Sequence, residues 1–240
     1  SNNNGICKGV CTRVKTIQVD TDKSNPLCDG EYCFDEALLA PLKQKLNSLT
    51  NDNTLIVLHM IGSHGPTYFK RYPSEKSVFT PDCQRSDIQN CSPEQLLNTY
   101  DNTIAYTDFV ISKVINELSV LDKKNNIESS LLYISDHGES LGESGVYLHG
   151  LPYAFAPEEQ THVPMIFWAD TMQADFNTAC LRDLSKSRIS HDNVFDTLLS
   201  IMSVKSKAYN IENDPFIDCK SEHAIARTNS TSAFNIERIN

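Results

Sequence analysis

Residues 131–140, Leu131-Leu132-Tyr133-Ile134-Ser135-Asp136-His137-Gly138-Glu139-Ser140, decide the fold class. The apolar run at their start reads as a short strand buried in a sheet. The chain leaves it on a carboxylate and an imidazole and enters a glycine turn. A second run has the same shape: Thr54-Leu55-Ile56-Val57-Leu58 passes into His59-Met60-Ile61-Gly62-Ser63-His64-Gly65-Pro66. Val163-Pro164-Met165-Ile166-Phe167-Trp168 is a third strand-sized run.

Helical patterns lie between and after these strands. Asp35 is placed to cap a helix through Leu38, Leu42 and Leu46, with Pro41 kinking it or marking its true first turn. Ser92-Pro93-Glu94-Gln95 has the form of a capping box with proline at the first helical position. The helix that follows runs to about Leu118, with a stripe of Leu97, Tyr100, Ile104, Ile111, Ile115 and Leu118; Asp101 and Asp108 beside it suit hydrogen-bonding roles. Ser190 caps a last helix through Ile201. The order strand, helix, strand, strand, helix predicts an α/β layered fold with a mostly parallel sheet. Residues 1–33 read as stapled loop, and the polar segment after Cys219 as a tail that frays.

The chain has 240 residues, a net charge of −10 and eight cysteines. The acidic balance, with Lys70-Arg71 as its densest basic cluster, argues against a nucleic-acid surface. Lys70-Arg71 itself reads as a solvated pair. No apolar run approaches the roughly 18 residues that cross a bilayer, so an export signal or anchor is expected upstream of Ser1. Six cysteines come as close pairs in polar loops, Cys7-Cys11, Cys28-Cys33 and Cys83-Cys91, leaving Cys180-Cys219 to close a longer loop. Four disulfides in an oxidising compartment are expected.

Six of the nine glycines fall in the two segments that follow the first two strands. Glycine tolerates positive φ and lets a backbone approach a bound group, so these loops are shaped around something. Reactive groups gather where the strands of such sheets end. The groups brought there, Asp136, His137 and His149 through the glycine loop, are the oxygen and imidazole donors that suit zinc. Asp136 and His137 are expected as metal ligands, and His64 and His149 as site residues. His59 is equally readable as the last residue of the strand core. Glu139 and Glu143 are set outside the ligand set. His162, His191 and His223 read as ordinary hydrogen-bonded histidines.

Ser135-Asp136-His137-Gly138-Glu139-Ser140-Leu141-Gly142, with Tyr147-Leu148-His149-Gly150 and Phe155-Ala156-Pro157 beyond, resembles the phosphoethanolamine transferases of Gram-negative bacteria, a group that includes the mobile colistin-resistance enzymes. His59 through Tyr72, Tyr100-Asp101-Asn102 and the cysteine pairs match the same group, and the likeness spans nearly all of residues 5–219. It implies an alkaline phosphatase or sulfatase-like α/β/α fold, with residues 1–219 as the C-terminal part of a disulfide-stapled periplasmic catalytic domain and 220–240 as a polar tail. It also implies transfer of phosphoethanolamine from phosphatidylethanolamine to lipid A at the periplasmic face of the inner membrane, lowering the charge that polymyxins bind. In the family pattern, zinc is held by a Glu, a nucleophilic Thr, an Asp and a His. Asp136 and His137 match the last two. His64 and His149 match histidines around the phosphoethanolamine or a second zinc, with His59 near them. The Glu, the Thr and a substrate-binding Lys are expected in segments preceding Ser1, as is a transmembrane domain, so this stretch is expected to be inactive alone. The alternatives are a sulfatase or phosphatase-type hydrolase of the same fold and a noncatalytic binding module.

Overall fold

The computed structural model describes residues 13–49, 53–125, 127–170, 175–222 and 234–239. The expected Cys7–Cys11 bridge and His223 fall outside them. Strands β1 (Lys15–Ile17), β2 (Asn53–Leu58) and β7 (Phe234–Ile239) form a parallel sheet in the order β1-β7-β2. β3 (Ser130–Ile134) pairs antiparallel with β6 (Met165–Ala169), and β4 (Ser140–Leu141) makes a small hairpin with β5 (Tyr147–Leu148). The helices are α1 (Leu39–Asn47), α2 (Pro93–Asn125), α3 (Glu158–Thr161), α4 (Thr178–Leu184) and α5 (Val194–Ile201).

The reading of 220–240 as a polar tail is corrected over its last part. Residues 234–239 are a strand that pairs along its full length with β2, from Asn53↔Phe234 to Leu58↔Ile239, and on its other edge with β1. The signal is a short alternation, Phe234 and Ile236 against Asn235 and Glu237, hidden by the polar residues before it.

Leu38, Leu42 and Leu46 pack with Val114 and Leu121 of α2 into the largest cluster, joined by Ile56 and Leu58 of β2 and Leu131 of β3. This layer covers one face of β2; Val57, on the other, is exposed. Pro41 sits in the first turn of α1, where its missing N–H leaves no helical hydrogen bond unmade.

α2 starts on the expected capping box: Ser92 N donates to Gln95 Oε1 at 3.1 Å and Gln95 N to Ser92 Oγ at 3.2 Å. Its buried face, however, is offset from the apolar stripe. Leu97 and Ile104 are exposed, while Leu96, Thr99, Asn102, Thr103, Tyr106 and Val110 are buried. This face needs polar groups because it packs against a loop and must satisfy that loop's backbone. Asn102 Oδ1 accepts from Val78 N and Phe79 N at 2.7 and 2.8 Å, its amide donates to Phe79 O at 2.9 Å, and Thr99 Oγ1 accepts from Cys83 N at 2.6 Å.

Ser190 caps as expected, with Asn193 Oδ1 accepting from Ser190 N at 2.8 Å, though a short 3-10 turn precedes α5. The three expected disulfides within the described residues, Cys28–Cys33, Cys83–Cys91 and Cys180–Cys219, are formed.

Candidate functional site

The loop after β2 and the loop after β3 meet. His64, from the first, and His137 and His149, from the second, form one imidazole cluster. The ring centroids of His137 and His149 are 3.9 Å apart, and His64 lies 5.2 Å from His149 and 6.2 Å from His137. Each ring is oriented through Nδ1. His64 Nδ1 is 2.7 Å from Gly65 O, His137 Nδ1 is 3.0 Å from Gly138 O, and His149 Nδ1 is 3.1 Å from Glu139 Oε1. A carbonyl or carboxylate oxygen can only accept, so Nδ1 carries the proton on each ring. On a neutral ring that arrangement leaves the lone pair on Nε2, the tautomer that metal-binding histidines adopt.

Glu139 is the residue that sequence reasoning set aside. It is 6% exposed, and its Oε1 also accepts from Gly65 N at 3.0 Å, joining the two loops. Its Oε2 and the Tyr68 hydroxyl are both buried. A buried carboxylate oxygen is costly unless a donor or a cation meets it, and the Tyr68 hydroxyl interacts with this carboxylate. Burial first, then the Glu139 charge, holds the Tyr68 phenol well above its ordinary pKa; the same two causes push Tyr100 to about 12. Both tyrosines stay neutral beside the carboxylate.

His137, Glu139 and His149 offer ligand atoms within 4.8 Å of one another. Asp136 is outside that group, with its side chain 78% exposed, but its Oδ1 lies 3.9 Å from His137 Nε2. Tetrahedral zinc ligands at about 2 Å stand roughly 3.3 Å apart, so the Asp136–His137 separation is close to, but wider than, the spacing of two ligands on one ion. The imidazole and carboxylate donors of this group are of the kind a zinc-class metal takes. His59 is half-buried directly after β2 and does not belong to the His137–Glu139–His149 group.

The loops are held from outside. Asp35 does not cap its helix; its buried carboxylate accepts from Ile61 N and Gly62 N, each at 2.8 Å. Burial pushes its pKa to about 6, against the pull of these donors and of Arg71. Arg71 is not a solvated side chain but is buried, with Nε donating to His64 O at 2.8 Å. The Thr103 hydroxyl lies 2.7 Å from Ser63 Oγ.

The second loop is fixed by α3. Gly138 N donates to Gln160 O at 2.9 Å, and a Cβ on Gly138 would stand 2.0 Å from Glu159 O. Only glycine permits that approach. Gln160 Nε2 donates to Ser140 Oγ at 2.9 Å, and His191 Nε2 is 2.8 Å from Ser135 O. His162 is exposed and pairs with Glu158 at 3.5 Å. Leu148 holds φ at 63°, a conformation rare for leucine, immediately before His149.

The family model described as Sulfatase matches residues 1–204, and the chain belongs to that family. Its relatives there are phosphoethanolamine transferases. It is 44% identical to phosphoethanolamine transferase EptA of Escherichia coli K12 over 92% of this chain and 40% of that protein, and 39% identical to phosphatidylethanolamine transferase Mcr-2 of E. coli over 84% and 37%. The crystal structure of the soluble domain of lipooligosaccharide phosphoethanolamine transferase A from Neisseria meningitidis superposes with a TM-score of 0.84 at 40% identity, covering 92% of this chain and 66% of that one. The C-terminal periplasmic domain of EptC from Campylobacter jejuni gives 0.77 at 45% identity, covering 92% and 67%. The expected alkaline phosphatase-like α/β fold accords with these likenesses. The chain spans about 40% of the length of the curated relatives it matches. Among its described residues no helix is long and apolar enough to cross a membrane.

Proposed function

We propose that this chain contributes the metal-holding and phosphate-orienting part of a zinc-dependent phosphoethanolamine transferase, with phosphatidylethanolamine as donor and lipid A as acceptor at the periplasmic face of the inner membrane. One observation carries the site assignment: three imidazoles from two loops converge with Nδ1 committed to acceptors and Nε2 left to a ligand. The reaction follows from that site in a chain so close to phosphoethanolamine transferases.

In this reading His137 would hold the metal, with Asp136, Glu139 and His149 as the neighbouring donors. Bound zinc would neutralise phosphate charge and lower the pKa of a hydroxyl nucleophile. Glu139 keeps His149 in its Nε2-acceptor tautomer and ties it to the His64 loop. His64 stands 5.2 Å from His149, placed to meet a phosphate oxygen of the ethanolamine headgroup. Masking lipid A phosphates in this way would weaken polymyxin binding. No threonine of this chain is assigned as nucleophile.

The test uses the native gene in its own cells. His137→Ala and His149→Ala should each lower the zinc content of the purified protein and abolish the phosphoethanolamine adduct on lipid A seen by mass spectrometry. Retained zinc and retained adduct would sink the assignment. Release of free phosphoethanolamine by the wild type, with no adduct on lipid A, would favour the hydrolase reading.

A further inference from the structure

The turn after His149 holds the two most exposed large apolar side chains among the described residues. Tyr153 is 86% and Phe155 79% exposed. They are held in place: Phe155 N and Ala156 N both donate to Pro152 O, at 2.8 and 3.0 Å. The segment 150–157, Gly-Leu-Pro-Tyr-Ala-Phe-Ala-Pro, carries no charge, and exposed Glu158 and Glu159 follow it. At one end of this turn is His149; at the other is α3, which abuts Gly138. Two rings presented to water by an ordered turn contribute nothing to the core, and such apolar groups mark contact surfaces.

We propose that Tyr153 and Phe155 form a tip that seats in the interface of a zwitterionic phospholipid bilayer and brings the histidine cluster to lipid headgroups. The inference rests on the reading that the site handles a lipid-borne phosphate. The chemistry selects this occupant. Tyrosine and phenylalanine have apolar bodies that suit the headgroup boundary, and tyrosine adds a polar end. A tip without charge has nothing to pair with an anionic surface, and the net charge of −10, with Glu158 and Glu159 at the tip's base, disfavours one. The tip is continuous with the site, so insertion fixes the height of His149 above the membrane.

The test is co-sedimentation of the soluble domain, purified without any membrane anchor in the form in which the N. meningitidis relative crystallised, with phosphatidylcholine vesicles at low and high salt. The wild type should partition to vesicles, and the double variant Tyr153→Ser/Phe155→Ser should lose on the order of tenfold or more of that partitioning. High salt should leave it unchanged, because apolar insertion is not screened. Phe155→Trp should retain partitioning and gain quenching by brominated lipid beyond that of Trp168. Equal partitioning of wild type and the Ser variant, no partitioning by either, or binding that salt abolishes would each overturn the proposal. So would a wild-type dimer that the Ser variant loses, which would assign the tip to a second copy. Zinc titration of the same samples separates the two readings. Zinc binding sensitive to His137→Ala without vesicle binding removes the tip alone. Vesicle binding without zinc removes the site reading and leaves the tip.

Discussion

Glu139 Oε1 lies 3.1 Å from His149 Nδ1 and 3.0 Å from Gly65 N, so one carboxylate oxygen orients an imidazole and anchors the opposite loop. Replacing Glu139 with Ala removes both contacts. Losing a carboxylate that orients a metal-binding histidine costs about 10- to 100-fold in metal affinity. Competition titration against a chromogenic chelator should show that loss for Glu139→Ala and a smaller one for Glu139→Gln, whose amide oxygen can still accept from His149. Wild-type zinc affinity in Glu139→Ala would reduce Glu139 to a structural role.

Asp35 supplies a pH-dependent term. Burial lifts its folded pKa to about 6, against roughly 4 in an unfolded chain, so the folded state holds the proton more tightly. Its contribution to stability is therefore fully present below about pH 4 and is lost as pH rises through about 6. The stability of the wild type minus that of Asp35→Asn should fall by on the order of 3 kcal/mol between about pH 4 and pH 7, read from urea unfolding at each pH. A pH-independent difference would mean that Asp35 ionises normally.

Gly138 is a steric requirement of the site. A Cβ there would stand 2.0 Å from a backbone oxygen of α3, which cannot swing aside as a side-chain tip can. Gly138→Ala should lower stability by about 2 kcal/mol or more and weaken zinc binding together, because the same turn carries Asp136 and His137. Gly145→Ala is the contrast: its Cβ would meet nothing within 4 Å, so its cost is the positive φ of 77° alone. A Gly138→Ala protein as stable as Gly145→Ala would show that α3 moves freely.

These positions show what a sequence reveals of such a site and what it withholds. The His64 and His149 loops were legible because glycine and histidine concentrate at strand ends, where a buried strand exposes its terminal side chains. The capping box at Ser92 and the cap at Ser190 were legible because their partners lie two or three residues away. Asp35, Arg71 and Thr103 were not. Their partners, Gly62, His64 and Ser63, are 27, 7 and 40 residues distant, and no local period encodes such contacts. Asp35 looked like a helix cap because it precedes a helix, while its carboxylate answers the orphan amides of another segment. The α2 stripe misled for a related reason. Apolar periodicity locates a face that meets apolar groups, whereas Asn102 and Thr99 are buried to satisfy a loop.

Asn102 makes that point measurable. It is fully buried, and its side chain satisfies Val78 N, Phe79 N and Phe79 O at once. Truncation to Ala leaves three backbone groups unpaired under α2. Each such group costs about 1–3 kcal/mol when it cannot reach water. Asn102→Ala should therefore destabilise by several-fold more than Asp108→Ala, an exposed position on the same helix. Equal unfolding midpoints for the two would mean that water replaces the amide.

The disulfides offer a ranked prediction. Loop-closure entropy grows with the length of chain enclosed, and the separations are 39 residues for Cys180–Cys219, 8 for Cys83–Cys91 and 5 for Cys28–Cys33. The chain-entropy relation gives about 4, 2.5 and 2 kcal/mol respectively. Paired Cys→Ala variants should lose stability in that order, and non-reducing mass spectrometry of the native protein should find none of these six cysteines alkylatable. The long bridge has local support that tempers its loss: Asn177 N donates to Cys219 O at 2.8 Å, and Phe176 and Phe216 pack edge-to-face against Phe167. If Cys180→Ala/Cys219→Ala costs less than Cys83→Ala/Cys91→Ala, those contacts already close the loop in the unfolded ensemble and the entropic ranking fails.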